Sequence, residues 1–152
     1  MLIFFYLRLI KLKPITKMDN KNNVSKSIAK LLKKKGINVK TLFFYKESDN
    51  DYTSQVHKSI VARMFNNTFD YIAAPTFNEI KDFFKTNYNI EISAKYDNSC
   101  QKYFPYIIKN GIGLYLADAN SLCMRMAAKY GVWTEKACYN QIIEYIFNQK
   151  LL

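Results

Sequence analysis

One dipeptide, Asn110-Gly111, constrains the fold of this chain more than any other feature. Both residue types tolerate positive φ, and this pair between two strand-like runs is the strongest short-range pattern for a β-hairpin. The flanking runs, Lys102 to Lys109 and Ile112 to Ala117, are rich in aromatic and β-branched residues. Pro105 lacks a backbone N–H, so we expect the first of these strands to lie at a sheet edge or to contain a bulge.

A helix is predicted before this hairpin. Pro75 disfavours helical backbone at the residue that precedes it. Thr76 and Glu79 have the spacing of a capping box, in which each side chain bonds the backbone N–H of the other residue. We therefore expect a helix from Thr76 to about Tyr88. The apolar side chains that it is expected to bury are Ile80, Phe83 and Phe84.

The rest of this half of the chain completes an α+β pattern. Ile90 to Lys95 predicts a strand, and Asp97-Asn98-Ser99 predicts a turn. Asp118 or Asn120 is expected to cap a helix through Tyr130 that Gly131 ends, and Thr134 to cap a last helix, Glu135 to Asn148. The residues expected to face inwards from this last helix are Cys138, Ile142, Tyr145 and Ile146. The order predicts an α+β fold with helices packed on a small antiparallel three-stranded sheet.

The first part of the chain predicts a helix–strand unit. Asn22 or Asn23 is expected to cap a helix that ends near Lys35, because Gly36 suits the position after a helix. Ile37 to Tyr45 predicts a strand and Glu47 to Tyr52 an acidic turn. Val56 to Phe65 has apolar residues at 56, 60, 61 and 64, a spacing that predicts a helix.

The 152 residues suit one domain. We expect a single α+β domain over residues 18–148, with a basic part at 18–73 and the hairpin part at 74–148. Residues 1–17 are interpreted as a non-native or flexible extension, because Met18-Asp19-Asn20-Lys21 resembles an ordinary protein start, and we expect them to be dispensable for folding. A packed segment or an interfacial membrane anchor are the alternatives. The apolar run Met1 to Tyr6 is too short to span a bilayer, which predicts no stable membrane insertion.

The net charge lies entirely in the first third of the chain. Residues 1–46 hold 12 Lys and Arg and one Asp, which accounts for the whole net charge of +11. Such a field attracts anionic partners. Four lysines of the first predicted helix are expected opposite its apolar stripe, as a partner-binding or nucleic-acid-binding face or as solvated surface. These lysines are Lys26, Lys30, Lys33 and Lys34. We expect their change to Gln to leave folding nearly unaffected.

Catalytic residues are sparse, and we expect no enzyme, no cofactor and no metal site. His57 is the single His, and Cys100, Cys123 and Cys138 lack CxxC spacing. A Cys–His dyad among them stays open as a distant alternative, a small hydrolase or transferase. Asp49 with Asp51 falls short of a calcium loop. The hairpin aromatics are expected to pack in the core or to stack nucleic-acid bases. These aromatics are Tyr103, Phe104, Tyr106 and Tyr115.

Several short motifs together resemble a family of small uncharacterised proteins from phages and prophages of gut bacteria. The motifs are Ala74-Pro75-Thr76 before a helix, Asn89-Ile90-Glu91-Ile92 and Thr134-Glu135-Lys136-Ala137. Phe83-Phe84-Lys85 stands where that family has Trp-Leu-Arg. The resemblance implies a phage or mobile-element accessory protein. Three cysteines without CxxC spacing indicate a reducing cytoplasm, and our first hypothesis is that the protein acts there by binding a host or phage protein. Nucleic-acid binding by the lysines is the alternative.

Overall fold

A computed structural model describes residues 22–51, 54–99, 101–115 and 134–152. The helix expected between Asp118 and Tyr130 and the extension 1–17 lie outside these residues. The helices are α1 (Lys26–Lys34), α2 (Phe77–Tyr88) and α3 (Glu135–Asn148), with a short 3-10 helix at Phe65–Asn67. The strands are β1 (Thr41–Lys46), β2 (His57–Arg63), β3 (Tyr71–Ala73), β4 (Ile90–Asp97), β5 (Lys102–Lys109) and β6 (Ile112–Tyr115).

The predicted hairpin is confirmed and forms two of the three strands of an antiparallel sheet with the order β4-β5-β6. Asn110 and Gly111 both have positive φ, 53° and 77°, and they join the paired residues Lys109 and Ile112. A two-residue turn of this kind matches the twist of its strands. The α+β class is confirmed, with one more sheet than the sequence predicts.

Pro105 lies in the central strand of this sheet, where the sequence predicted an edge or a bulge. The β4–β5 register runs without a break through the pair Ala94–Pro105, so that prediction is wrong. The Asn110-Gly111 turn folds β6 back onto the side of β5 opposite β4, so β5 is the central strand of this sheet.

The first part of the chain forms a second antiparallel sheet with the order β2-β1-β3. Residues 56–65, predicted to be helical, contain β2 instead. The helical spacing of the apolar residues in this segment does not reflect a buried face, because Ile60 and Val61 are 99% and 59% exposed. The strand predicted from Ile37 begins only at Thr41. The Asn66 side chain, rather than a strand, binds the Ile37 carbonyl oxygen at 2.9 Å.

Ser25 caps α1, rather than Asn22 or Asn23. Its hydroxyl accepts a hydrogen bond from the Ile28 N–H at 3.4 Å. Asn23 instead donates from its amide nitrogen to the Ala74 carbonyl oxygen at 2.8 Å, and the Val24 N–H donates to the Pro75 oxygen at 3.1 Å. The Ser25 N–H donates to the Asn140 side-chain oxygen at 3.3 Å. The residues before α1 thus join it to the start of α2 and to α3.

The capping box at the start of α2 is confirmed. The Thr76 hydroxyl accepts from the Glu79 N–H at 3.2 Å, and the Glu79 carboxylate accepts from the Thr76 N–H at 2.9 Å. Thr134 caps α3 through a 3.1 Å bond from the Ala137 N–H. These caps satisfy amides that a helix leaves without partners at its start.

One core joins the two sheets and the three helices. From α2 it takes Phe77, Ile80 and Phe84, while Phe83 is only partly buried against it. The residues of α3 in the core are Cys138, Tyr139, Ile142, Ile143, Ile146 and Phe147, and Tyr145 packs at its margin. No helix in the described ranges has both the length and the apolar character that crossing a bilayer requires.

Changing Thr76 to alanine should lower the free energy of unfolding by about 1 kcal/mol, because the Glu79 N–H loses its acceptor. Chemical denaturation of the purified protein measures this difference. Thr86→Ala is the matched control, since Thr86 is exposed within the same helix. We expect the control to be neutral or slightly stabilising. If Thr76→Ala and the wild type were equally stable, the Thr76 cap would not contribute to the stability of α2.

Candidate functional site

Lys26, the first of the four predicted lysines, is buried. It is 4% exposed although it carries a charge. Its Nζ donates to the Asp49 carbonyl oxygen and lies 3.2 Å from the Asp51 carboxylate. A buried ammonium is stable only with such partners. The turn after β1 therefore folds back onto α1, and the prediction that all four lysines lie on an exposed helix face is wrong at Lys26.

Lys30 shares the same carboxylate. Its Nζ lies 2.9 Å from both oxygens of Asp51. The hydrogen bonds from Lys30 and Lys26 lower the pKa of Asp51, and Asp51 in turn raises the pKa of Lys30. The acidic turn and the lysines were both visible in the sequence. Their pairing was not, because it depends on how the turn folds over the helix.

The other two lysines have different surroundings. Lys33 donates to the carbonyl oxygens of Thr68 and Tyr71, at 2.7 and 2.8 Å. Lys34 is exposed near the end of α1. The four residues therefore do not form one solvated face, and three of them hold other segments of the protein. Binding of nucleic acid or a partner by Lys26, Lys30, Lys33 and Lys34 stays a prediction.

His57 lies beside a carboxylate and an aromatic ring. Its Nε2 is 3.3 Å from the Asp49 carboxylate, and its ring stacks on Phe44 with the centroids 5.3 Å apart. Cys138 is fully buried in α3, and desolvation raises the pKa of its thiol to about 12. A buried thiol with a raised pKa is a poor nucleophile. Cys100 and Cys123, the other candidates for a dyad, lie outside the described residues.

No group of three metal-binding side chains occurs among the residues that the structure describes. Asp49 and Asp51, weighed above as cation ligands, instead contact His57 and the lysines of α1. These carboxylates already have cationic or polar partners within the protein. Nothing in their arrangement favours a cofactor.

Aromatic residues of the β4-β5-β6 sheet take part in packing. Phe104 is buried, and Tyr103 packs against the core and lies 5.0 Å from the Tyr96 ring. Tyr106 lies over the neighbouring strand: a Cβ at Gly113 would stand 1.9 Å from the Tyr106 hydroxyl oxygen. The absence of a side chain at Gly113 therefore leaves the space that the Tyr106 ring occupies. Tyr115 is placed by its backbone opposite Tyr106.

A feature that the sequence did not predict is a large bulge in β2. Phe43 pairs with Lys58, and Thr41 pairs with Arg63. Residues 59–62 therefore stand opposite Leu42 alone. A bulge bends its strand and leaves the extra residues without ladder partners. We call residues 59–62 the β2 bulge.

The β2 bulge places two aliphatic side chains, Ile60 and Val61, in solvent. Ile60 is 99% exposed, more than any other large hydrophobic residue of the described ranges. The Val61 N–H bonds to the Ser59 hydroxyl at 3.4 Å, a local turn within the bulge. The pair was missed because two adjacent aliphatic residues at helical spacing from Val56 and Met64 indicate a buried face.

Comparison of the chain with protein-family models, with curated proteins and with solved structures finds no match.

Proposed function

We propose that this chain is a non-enzymatic accessory protein that acts by binding another protein through the β2 bulge. The observation that carries the proposal is the near-complete exposure of Ile60 at a protruding point of the fold. Burial of one Ile side chain in a partner is favourable by about 1.5–3 kcal/mol. Residues that contribute this much at the centre of an interface account for most of its affinity.

The protection of an edge strand does not by itself explain the β2 bulge. Among the described strands β2 is one of the two outer strands of its sheet, and edge strands avoid aggregation by bulges and by charged residues. Lys58 and Arg63 on either side of the bulge already supply such charges. Two exposed aliphatic residues between them weaken that protection, which favours a role in binding.

The phage or mobile-element origin enters the proposal from the resemblance of the motifs around Thr76, Ile90 and Thr134, and the host cytoplasm from the cysteine spacing. We propose a host or phage protein as the partner on the ground of that resemblance. The capping and strand residues of these motifs serve packing, so they supply no catalytic group.

Nucleic-acid binding is the second candidate, and exposed lysines favour it. Lys34, Lys35 and Lys40 are exposed near the end of α1 and the start of β1, and make no ion pair with any described carboxylate. Such residues can contact a phosphate backbone. The engagement of Lys26, Lys30 and Lys33 within the protein favours the protein-binding proposal over this one.

Affinity capture from a bacterial host lysate, with and without nuclease, tests the proposal when it compares variants. We expect Ile60→Ser to lose a specific protein that the wild type retains after nuclease treatment. Ile112→Ser is the matched control, because Ile112 is 65% exposed on the other sheet. Capture that is unchanged in Ile60→Ser, or that disappears with nuclease in the wild type, would overturn the proposal.

A further inference from the structure

We infer that the partner of the β2 bulge is an acidic protein segment in which carboxylates flank apolar side chains. The inference rests on the proposed function, and it adds the chemical class of the partner. Its basis is the combination of an exposed apolar pair with the basic residues that flank it along the sheet.

The charged residues that lie next to the β2 bulge along β2, and just before β1, are positive. Lys58 and Arg63 flank it along the strand, and Lys40 directly precedes Thr41, the partner of Arg63 in the sheet. All three side chains are exposed. Neither residues 33–46 nor residues 54–69 contain an Asp or Glu. A partner that covers Ile60 must therefore meet this positive rim, which favours carboxylates and disfavours a basic surface.

The unpaired backbone of the bulge favours a protein over a lipid surface. Four residues of β2 face one residue of β1, so most backbone N–H and C=O groups of the bulge lack ladder partners in β1. Unpaired backbone groups are costly to place in hydrocarbon, where nothing can bond them. An extended protein segment can pair with such an edge through its own backbone.

Two other occupants fit less well. Single-stranded nucleic acid is held largely by base stacking on aromatic side chains, whereas the exposed side chains at the tip of the bulge, Ile60 and Val61, are aliphatic. A second copy of this chain would bring the same basic residues against Lys40, Lys58 and Arg63, and like charges across an interface are unfavourable. The charge and the apolar pair together point to an acidic, partly apolar protein segment.

Fluorescence anisotropy with short labelled peptides tests this inference on the full chain. The probes are a peptide of alternating Glu and Leu, one of Lys and Leu, and one of Glu and Ser. We expect the Glu/Leu peptide to bind most tightly, by about tenfold or more over the other two. This binding should weaken as the salt concentration rises from about 50 to 300 mM.

Variants connect the binding to the bulge. Ile60→Ser and the pair Lys58→Gln with Arg63→Gln should each weaken Glu/Leu binding about tenfold, while Ile112→Ser should leave it unchanged. Thermal melts check that the variants are folded, which we expect because these side chains are exposed. Absence of Glu/Leu binding, or equal binding of the Lys/Leu peptide, would overturn the inference.

Parallel measurements with vesicles of phosphatidylcholine and phosphatidylglycerol and with duplex DNA cover the other partners. Tighter binding to either probe that Ile60→Ser abolishes would assign the bulge to lipid or nucleic acid and overturn the inference. If Ile60→Ser loses a captured protein but all three peptides bind equally, the acidic character of the partner is rejected and the proposed function is retained. Retention of that protein in Ile60→Ser would reject the proposed function itself.

Discussion

Replacing Phe84 by alanine should lower the free energy of unfolding by about 4 kcal/mol, because the change leaves a cavity in a well-packed core. Phe84 is fully buried in α2, within the cluster that joins both sheets and the three helices. Chemical denaturation with a two-state analysis measures the loss. The effect is the largest we expect from any single change discussed for this protein.

Phe83→Ala is the matched control for this prediction. Phe83 is the adjacent residue of the same helix, and it is only partly buried, with its ring centroid 6.1 Å from that of Phe84. We expect its change to cost about 1.5 kcal/mol. Equal losses of unfolding free energy in the two variants would contradict the described difference in burial between the two rings.

Changing Lys26 to methionine should lower the free energy of unfolding by about 2 kcal/mol, since the half-buried Asp49 carbonyl oxygen then lacks its donor. Methionine has a similar length, so the loss reports the ammonium rather than the packing. The Asp49 carbonyl oxygen and the Asp51 carboxylate are the groups that lose a partner. Urea denaturation at neutral pH measures this effect.

Lys34→Met provides the control for charge removal from the same helix. Lys34 is exposed, so its change should alter stability by less than about 0.5 kcal/mol. A Lys26→Met protein as stable as the Lys34→Met protein would contradict the role of Lys26 in holding the turn after β1 against α1.

The elements predicted correctly from the sequence are those that local chemistry decides. The Asn110-Gly111 turn needs only two residues that tolerate positive φ, and the capping box needs only Thr76 and Glu79 at their spacing. The start of α3 at Thr134 follows the same rule. Each of these features is satisfied within a few residues, so no distant part of the chain can change it.

The predictions that are wrong concern features that depend on residues distant in the sequence. Lys26 has the sequence context of a surface lysine, and only the turn at residues 47–51 makes it a buried one. Ile60 and Val61 have helical spacing from Val56, but their segment pairs with β1. Pro105 lies in a central strand because β4 and β6 pair with β5 on opposite sides. None of these outcomes follows from spacing or composition.

The site was predicted less well than the fold. The sequence identified Lys26, Lys30, Lys33 and Lys34 through charge alone, and the structure uses three of them to hold other segments in place. The β2 bulge was invisible because a bulge results from unequal pairing between two strands. A pair of aliphatic residues between two basic residues, Lys58 and Arg63, was the available indication.

The three residues before α1 determine how late in synthesis this protein can finish folding. The Ser25 N–H finds its acceptor on Asn140, 115 residues further along the chain. The Asn23 side chain bonds to Ala74, 51 residues away. Contacts so distant in sequence form only after the later residues have left the ribosome, and non-local contacts slow folding. The packing of α1 on β3 can form earlier, whereas its contact with α3 waits until α3 has been made, so the nascent chain keeps part of its apolar surface exposed until then.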